Sequence, residues 1–269
     1  MKGAAALPRV AGVLILALRR RGARPWLLVA LAGLTLSCSA VESPITPTPR
    51  PAPTTVSHVA YSEWPLVLKD DFSQPDNDWE TGQSNDRFST GTVSIKGGQY
   101  RFDLKANDGF IWWSRSLNNS STTDLYAAVD AQQIGGPTSA DYGLVFRWQH
   151  GNYYYFEINE SGQFAFSIYY FEKWETLVNW TSAAAIQPGK VNRLAVGAEG
   201  SHFAFYVNGE SVGEADDSRL PGGTAGVAVE LSQAGDQAVF QFDHFEWRAP
   251  KGSAISVTPT PDVEPLPPE

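Results

Sequence analysis

The chain has 269 residues, with 20 basic and 29 acidic side chains, a formal net charge of −9 and a single cysteine. A chain this acidic repels the phosphates of nucleic acids and of anionic lipid headgroups, so neither is an expected partner. One cysteine excludes an intramolecular disulfide, and an unpaired cysteine in an exported protein needs another role.

The amino-terminal segment has the pattern of a secretory signal. Residues 1–37 contain six basic residues and no acidic one, and the apolar run Trp26–Leu34 follows the basic residues. An apolar core of about 7–15 residues behind a basic region is typical of an export signal, whereas a membrane-spanning helix needs about 20 apolar residues. The sequence therefore predicts a signal peptide over 1–37.

The five residues from Leu34 to Cys38 resemble the bacterial lipobox, although Thr35 stands where the lipobox usually has leucine. The resemblance implies that Cys38 becomes the lipidated first residue after cleavage. The protein would then be exported and held at the outer face of a bacterial membrane by lipid alone. The alternative is an ordinary signal peptide with an incidental cysteine. Cleavage would also remove six basic residues and make the mature chain still more acidic.

Two proline-rich segments bound a central region of ordinary composition. Residues 38–60 and 250–269 mix proline with serine and threonine. Such tracts lack apolar side chains to bury and favour extended chain. We interpret residues 38–60 as a stalk and residues 250–269 as a tail. The region between them, 61–249, is long enough to form one all-β sandwich.

The central region is predicted to be all-β, because apolar residues alternate in short runs separated by turn residues. Strands are expected over 100–105, 142–149, 153–159, 164–170, 191–199, 202–207, 210–215, 226–231 and 238–247. Asn208-Gly209 is a strong signal for a type I′ hairpin turn, since both positions tolerate positive φ. Around a dozen or more strands joined by hairpins favour a two-sheet antiparallel jelly-roll sandwich.

Several segments resemble the concanavalin A-like lectin/glucanase superfamily. They are the opening Asp70-Asp-Phe-Ser73 with Trp79, the run Phe205–Val212, the loop Gly222–Gly226 and the closing Phe242–Phe245. Within the superfamily, the resemblance is to laminin-G-like modules and to the domain named for 3-keto-disaccharide hydrolases. It implies the fold and leaves the activity open, because this architecture hosts lectins, glycosidases and adhesive modules.

The sequence contains no complete motif for a catalytic site. Glucanases of this fold carry a Glu-x-Asp-x-x-Glu strand that supplies their two carboxylates. The nearest match is Glu157-Ile-Asn-Glu160, in which Asn159 replaces the middle acid and Gly162 falls where the last glutamate should be. We therefore interpret Glu157 and Glu160 as a strand-edge acid and a turn acid. Four scattered histidines without metal-ligand spacing add no further candidate, so no catalytic residue is predicted.

A structural calcium ion is the one cofactor hypothesis, with Asp70, Asp71 and Asp243 as its ligands. The first and last strands of such sandwiches often lie side by side. Carboxylates gathered there would repel one another without a cation. No other cofactor is expected.

A ligand-binding face is predicted from the alternation on three consecutive strands. If the apolar residues point into the core, period two places on the opposite, solvent-facing side the mixed set Arg147, Tyr155, Glu157, Ser167 and Tyr169. Aromatic rings stack on the apolar faces of pyranoses, while charged groups bind their hydroxyls. Trp174 and Trp180 lie near strand ends and join the predicted set. The alternative is that these aromatic side chains only fill the core and pair across strands.

The sequence favours a monomeric, non-catalytic module that binds a saccharide or glycan and is displayed on a lipid-anchored stalk. Two alternatives stay open. One is a glycoside hydrolase-like, sugar-processing enzyme, which the family resemblance alone supports. The other is a structural or protein-binding domain of the cell envelope.

Overall fold

A computed structural model describes residues 61–74, 79–115 and 120–253. The predicted signal peptide, Cys38, the stalk and the part of the predicted tail after Ser253 lie outside the described residues. Within the described ranges, no helix is long and apolar enough to cross a membrane.

Fifteen β-strands make up the described structure. They are β1 (Leu66–Asp70), β2 (Gly82–Asn85), β3 (Ser89–Ile95), β4 (Tyr100–Ala106), β5 (Phe110–Arg115), β6 (Leu125–Gly135), β7 (Asp141–Gln149), β8 (Asn152–Asn159), β9 (Gln163–Tyr170), β10 (Lys173–Ser182), β11 (Asn192–Glu199), β12 (His202–Val207), β13 (Glu210–Asp216), β14 (Thr224–Leu231) and β15 (Gln237–Arg248). The predicted all-β class is confirmed. Each strand expected from alternation is found with its ends within two residues of the expected ones.

The strands form two antiparallel sheets. The larger sheet has nine strands, eight of them in the order β13-β12-β11-β6-β15-β4-β3-β2, and β1 pairs with β15 outside that path. The smaller sheet has six strands in the order β10-β9-β8-β7-β14-β5. Strands distant in the chain thus lie side by side, since β14 lies between β7 and β5 and β15 lies between β6 and β4. This is the jelly-roll arrangement predicted.

The core lies between the facing sides of the two sheets. The residues expected there are all buried in one cluster: Leu144, Phe146, Phe156, Ile158, Phe166 and Ile168. Across the sandwich, the ring of Phe156 lies 4.9 Å from that of Phe205 on β12. Because side chains alternate along a strand, this inward set determines which residues point to the outer sides.

Four two-residue hairpin turns among the described residues have positive φ at both positions, which is the type I′ pattern. They are Gly97-Gly98, His150-Gly151, Phe171-Glu172 and Asn208-Gly209. The Asn208-Gly209 prediction is confirmed, with φ values of 53° and 82°. The Asn208 side chain strengthens this turn, because its Oδ1 accepts a hydrogen bond from the Arg193 backbone N–H at 2.8 Å.

Candidate functional site

The outer side of the six-stranded sheet carries a cluster that is separate from the core. Its buried members are Val145, Tyr153, Tyr155, Tyr169 and Ala228, and half-buried Trp148 and Trp174 pack against them. We call this side of the sheet the tyrosine face. On β8, alternation places Tyr153, Tyr155 and Glu157 on the tyrosine face, whereas Tyr154 and Phe156 enter the core.

Aromatic rings are in mutual contact at one end of the tyrosine face. Tyr153 and Tyr169 are direct cross-strand neighbours on β8 and β9, and their rings stack at 5.5 Å. The Trp174 ring on β10 meets both edge-on, 5.6 Å from Tyr153 and 5.2 Å from Tyr169. Such offset and edge-on pairs hold the rings in fixed orientations.

Three carboxylates gather farther along the same face. Asp141 on β7, Glu157 on β8 and Glu230 on β14 each place an oxygen within 4.8 Å of the other two. We call them the acid group. Asp141 and Glu230 are direct cross-strand partners, and Glu157 lies opposite Gly143, which has no side chain to crowd it. The Ser167 hydroxyl donates a hydrogen bond to Glu157 Oε1 at 3.3 Å.

The acid group has the chemistry of a proton-sharing or cation-binding site. Like-charged carboxylates this close repel, and burial disfavours their charged forms further. A shared proton relieves that repulsion, and so does a hard cation such as Ca²⁺, which prefers carboxylate oxygens. The donor set fits such an ion in type. Two of the three carboxylates are buried and the third is half-buried.

The tyrosines beside the acid group stay protonated. Burial raises the pKa of Tyr155 well above its ordinary value, and the charges of Glu157 and Asp141 raise it further. Burial likewise raises the pKa of Tyr153, with smaller effects from Tyr169 and Glu230. Both phenols are therefore neutral at physiological pH.

The structure brings together four of the six predicted ligand-binding residues: Tyr155, Glu157, Tyr169 and Trp174. The expectation that they face solvent is wrong for three of them, since Tyr155 is 0%, Glu157 is 1% and Tyr169 is 2% exposed. The partly accessible residues lie at the end, where Trp148 and Trp174 are half-buried. Trp180 is half-buried on β10, and no ring contact among the described residues joins it to the tyrosine face.

Arg147 does not lie on the tyrosine face, which corrects its predicted position. The β7–β8 register shifts between Phe146 and Gln149, and Arg147 has a φ of 50°. These features mark a β-bulge, which adds one residue to a strand and interrupts the alternation beyond it. As a result, Trp148 takes the outward position and Arg147 turns inward.

Inside the sandwich, the Arg147 guanidinium has structural partners. Its Nε donates to the Thr123 carbonyl at 3.1 Å, and Nη1 donates to the Leu220 carbonyl at 3.0 Å. Its Cζ lies 5.0 Å from the centre of the Phe203 ring. Burial lowers the pKa of Arg147, and nearby Asp124 opposes that effect. These hydrogen bonds connect the loops that contain Thr123 and Leu220 to the core.

The predicted calcium ligands Asp70, Asp71 and Asp243 do not form a chelating group in the described structure. β1 and β15 do pair side by side, as expected. However, the Asp70 carboxylate accepts hydrogen bonds from the Phe72 N–H at 2.7 Å and from Trp79 Nε1 at 2.9 Å. Asp243 Oδ1 accepts one from the His244 N–H at 2.6 Å. These carboxylate oxygens bind neighbouring backbone N–H groups and the Trp79 indole instead.

Sequence reasoning missed four residues of this site: Asp141, Trp148, Tyr153 and Glu230. Tyr153 has the same parity as Tyr155 on β8, so alternation alone could have identified it. Asp141 and Glu230 meet because β14 lies beside β7. No local pattern reveals a pairing between strands so far apart in the chain.

Comparison with known proteins agrees with this architecture. A laminin G family model, described as the Concanavalin A-like lectin/glucanases superfamily, matches residues 133–244. The sandwich has a concanavalin A-like fold. The predicted resemblance is thereby confirmed, and the matched segment of the concanavalin A-like domain contains the whole acid group and all the rings of the tyrosine face. No curated protein matches the sequence significantly.

Solved structures share this fold at low sequence identity. One, from work on endo-acting O-glycanases of the human gut microbiota, has a TM-score of 0.51 at 12% identity and covers 69% of this chain and 99% of its own. A Bacillus subtilis protein of unknown function with a galectin-like fold scores 0.50 at 12% identity, covering 71% and 96%. The endo-β-1,3-glucanase of Pyrococcus furiosus scores 0.50 at 8% identity, covering 71% and 95%. These likenesses show the fold alone.

Proposed function

We propose that the concanavalin A-like domain is a non-catalytic module that binds neutral saccharides at the aromatic end of the tyrosine face. The contact of half-buried Trp174 with the buried rings of Tyr153 and Tyr169, at one end of the tyrosine face, carries the proposal. Rings held in fixed orientations stack on the apolar faces of pyranoses, and nearby polar groups bind the hydroxyls. The superfamily description, which names lectins and glucanases, supports the same ligand class.

The ligand contacts are assigned to residues at the accessible edge. Trp148 and Trp174 are both half-buried. Tyr169 is only 2% exposed, and its hydroxyl has no hydrogen-bond partner among the residues that the structure describes. A buried hydroxyl without a partner costs about 1–3 kcal/mol. A sugar hydroxyl bound against Trp174 would supply that partner.

Charge favours a neutral ligand over an anionic one. The chain carries a net charge of −9, and the acid group lies on the same face as the rings. A uronic or sialic acid would meet repulsion there, whereas neutral hydroxyls can donate hydrogen bonds to carboxylates.

The test uses a glycan array of neutral and acidic sugars, followed by titration calorimetry of the purified protein. We expect neutral hits, and Trp174→Ala should weaken their affinity about five- to tenfold, the value of one stacked aromatic ring. Trp180→Ala is the matched control, because Trp180 lies on the same strand without contacting the cluster, and it should retain affinity. Failure of every neutral sugar to bind the wild-type protein would refute the proposal.

The acid group favours a second candidate, a sugar-processing enzyme. Retaining glycosidases carry two carboxyl groups about 5–5.5 Å apart, and the oxygens of Asp141, Glu157 and Glu230 lie within 4.8 Å of one another. Glu160 of the incomplete motif takes no part, since its carboxylate accepts hydrogen bonds from the Tyr142 hydroxyl and the Gly189 N–H. Release of new reducing ends from a bound glycan, abolished in Glu157→Gln, would favour the enzyme. Binding without turnover favours the module.

For localisation, we propose export and lipid anchoring through Cys38, supported by the signal pattern and the lipobox resemblance. Cys38→Ser should move the protein from the membrane fraction to the soluble fraction. Retention of that variant in the membrane fraction would contradict the assignment.

A further inference from the structure

A threonine at the start of β14 carries a buried hydroxyl without a partner. Thr224 is 6% exposed, and its Oγ1 has no hydrogen-bond partner among the residues that the structure describes. A buried hydroxyl that lacks a partner costs free energy, and native proteins satisfy most such groups. A hydroxyl of a bound ligand would supply the partner and remove this cost.

Thr224 lies on the tyrosine face. The core-facing residues of β14 alternate along the strand and are Ala225, Val227, Val229 and Leu231. The residues between them therefore point to the outer side. They include Ala228 of the tyrosine face and Glu230 of the acid group. Thr224 has the same parity as Ala228 and Glu230, so its side chain belongs to the same side of the sheet.

The cross-strand neighbour of Thr224 on the tyrosine face is Trp148. The two residues are direct partners on β14 and β7, and such partners have Cβ atoms about 4.5–5.5 Å apart. The bulge at Arg147 turns Trp148 outward, and its half-buried side chain packs against the tyrosine-face cluster. The unpartnered hydroxyl thus lies beside an aromatic side chain that is partly exposed.

Close backbone contacts hold the start of β14 in place. The N–H of Gly223 donates to the Thr122 carbonyl at 2.9 Å, and the Thr122 N–H donates to the Gly223 carbonyl at 3.0 Å. A Cβ atom at Gly223 would lie 2.4 Å from the Trp148 carbonyl oxygen, so only glycine allows this close approach to the bulge. Thr224 is therefore fixed beside Trp148 before a ligand binds, which limits the entropy lost on binding.

These residues complete a row that crosses four neighbouring strands. Tyr169 on β9 pairs with Tyr153 on β8, and Tyr153 lies opposite the bulge of β7 that carries Trp148. Tyr169 and Thr224 occupy the two ends of the row, and each has a buried hydroxyl without a partner in the described structure. Three strand spacings of about 4.8 Å separate the ends by about 14 Å. A single pyranose ring cannot contact both ends.

We propose that Thr224 binds a hydroxyl of a further sugar unit, so that the site holds a neutral oligosaccharide lying across the strands from β9 to β14. This inference rests on the proposed function, because the first sugar unit is the one assigned to Trp174 and Tyr169. The further unit contacts the Trp148 side chain and forms a hydrogen bond with Thr224 Oγ1. Thr224 therefore determines the preference for longer ligands, whereas Trp174 serves every ligand of the site.

Two substitutions at position 224 of the purified protein test the hydroxyl. Thr224→Val removes the hydroxyl and keeps the branched shape, whereas Thr224→Ser keeps the hydroxyl and removes the methyl group. The probes are laminarihexaose, cellohexaose and mannohexaose, compared with glucose and mannose by titration calorimetry. Melting temperatures of both variants are measured in parallel.

We expect the wild-type protein to bind at least one hexasaccharide more tightly than its monosaccharide. Thr224→Val should weaken the binding of that hexasaccharide about three- to tenfold, the value of one hydrogen bond, and leave monosaccharide affinity unchanged. Thr224→Ser should retain the hexasaccharide affinity. Because the Thr224 hydroxyl has no partner in the described structure, Thr224→Val should not lower the melting temperature.

Several results would overturn the inference, and they are distinguishable. Unchanged hexasaccharide affinity in Thr224→Val, with Trp174→Ala still impaired, would remove the Thr224 contact and leave the proposed function standing. An equal loss of hexasaccharide and monosaccharide affinity would assign Thr224 to the first sugar unit. A melting temperature lowered by more than about 4 °C in Thr224→Val would show that the hydroxyl is bonded within the fold. Wild-type protein that binds monosaccharides and no hexasaccharide would refute the inference alone, whereas absence of binding to both would refute the proposed function with it.

Discussion

The outer sides of both sheets carry aromatic clusters, but the two clusters differ in what covers them. On the nine-stranded sheet, Tyr61 stacks on Tyr126 at 5.3 Å, and Trp64 meets Tyr61 edge-on at 5.0 Å. The Tyr61 hydroxyl donates to Glu199 Oε1 at 3.1 Å. This face is thus sealed by the domain's own first residues, and its polar group is bonded.

The tyrosine face has a different composition. It adjoins three carboxylates, and the Tyr169 hydroxyl has no hydrogen-bond partner within the described part of the chain. Aromatic side chains alone therefore do not identify a binding site, since both sheets have them. The gathered carboxylates of the acid group and the unpartnered hydroxyl of Tyr169 distinguish the tyrosine face from the sealed face.

The largest expected effect concerns the middle of the tyrosine face. Tyr155 is as fully buried as Phe146 in the core, so Tyr155→Ala should cost about 3–5 kcal/mol of unfolding free energy, as Phe146→Ala should. Chemical denaturation of both variants measures this. A cost below about 1 kcal/mol for Tyr155→Ala alone would mean that the face is open in solution.

Alkaline pH should lower the free energy of unfolding, because buried tyrosines lie on the outer sides of both sheets. Burial raises the pKa of Tyr126 to about 12, whereas an unfolded tyrosine titrates near about 10. The folded state holds this proton more tightly, so the stabilisation is complete below pH 10 and is lost as pH rises through 12. Tyr126→Phe should abolish about 2 kcal/mol of that loss, measured by denaturation at stepwise pH. Parallel curves for the variant and the wild type would contradict the shift.

A substitution at Gly197 can displace Tyr61, which covers the outer side of the nine-stranded sheet, without touching the tyrosine face. A Cβ atom there would lie 2.4 Å from the Tyr61 ring, so Gly197→Ala should displace Tyr61 and cost about 1–3 kcal/mol. Saccharide affinity should not change. Gly135→Ala is the control, because a Cβ at Gly135 meets nothing within 4 Å. Loss of affinity in Gly197→Ala would reverse the roles assigned to the two faces.

The hairpin strands could be predicted from the sequence because their signals are local. Alternation and turn residues identify β7, β8 and β9, and the same alternation places Tyr155, Glu157 and Tyr169 on one side. β6 was missed because its sequence, with Tyr126, Ala127 and Ala128 in succession, is buried on both sides and does not alternate.

The rest of the site depends on features that residue types do not encode. The bulge that exchanges Arg147 with Trp148 is a backbone event, and either residue could occupy the outward position. The acid group requires β14 to lie beside β7, which is a property of topology. Alternation also assigns a side of the sheet without assigning exposure, so the burial of Tyr155 could not be predicted.

The smallest expected effect compares one hydroxyl on each face. Tyr61→Phe removes a bonded hydroxyl and should cost about 0.5–1.5 kcal/mol. Tyr169→Phe removes a buried hydroxyl that has no partner in the described structure, so it should not lower stability and should raise it by about 1 kcal/mol, the lower end of the cost of an unpaired buried hydroxyl. The affinity for neutral saccharides should fall several-fold in Tyr169→Phe and stay unchanged in Tyr61→Phe. Denaturation and calorimetry on the same two variants provide both readouts. Equal stability costs for the two variants would show that Tyr169 is bonded in solution, and the distinction drawn between the faces would then rest on the acid group alone.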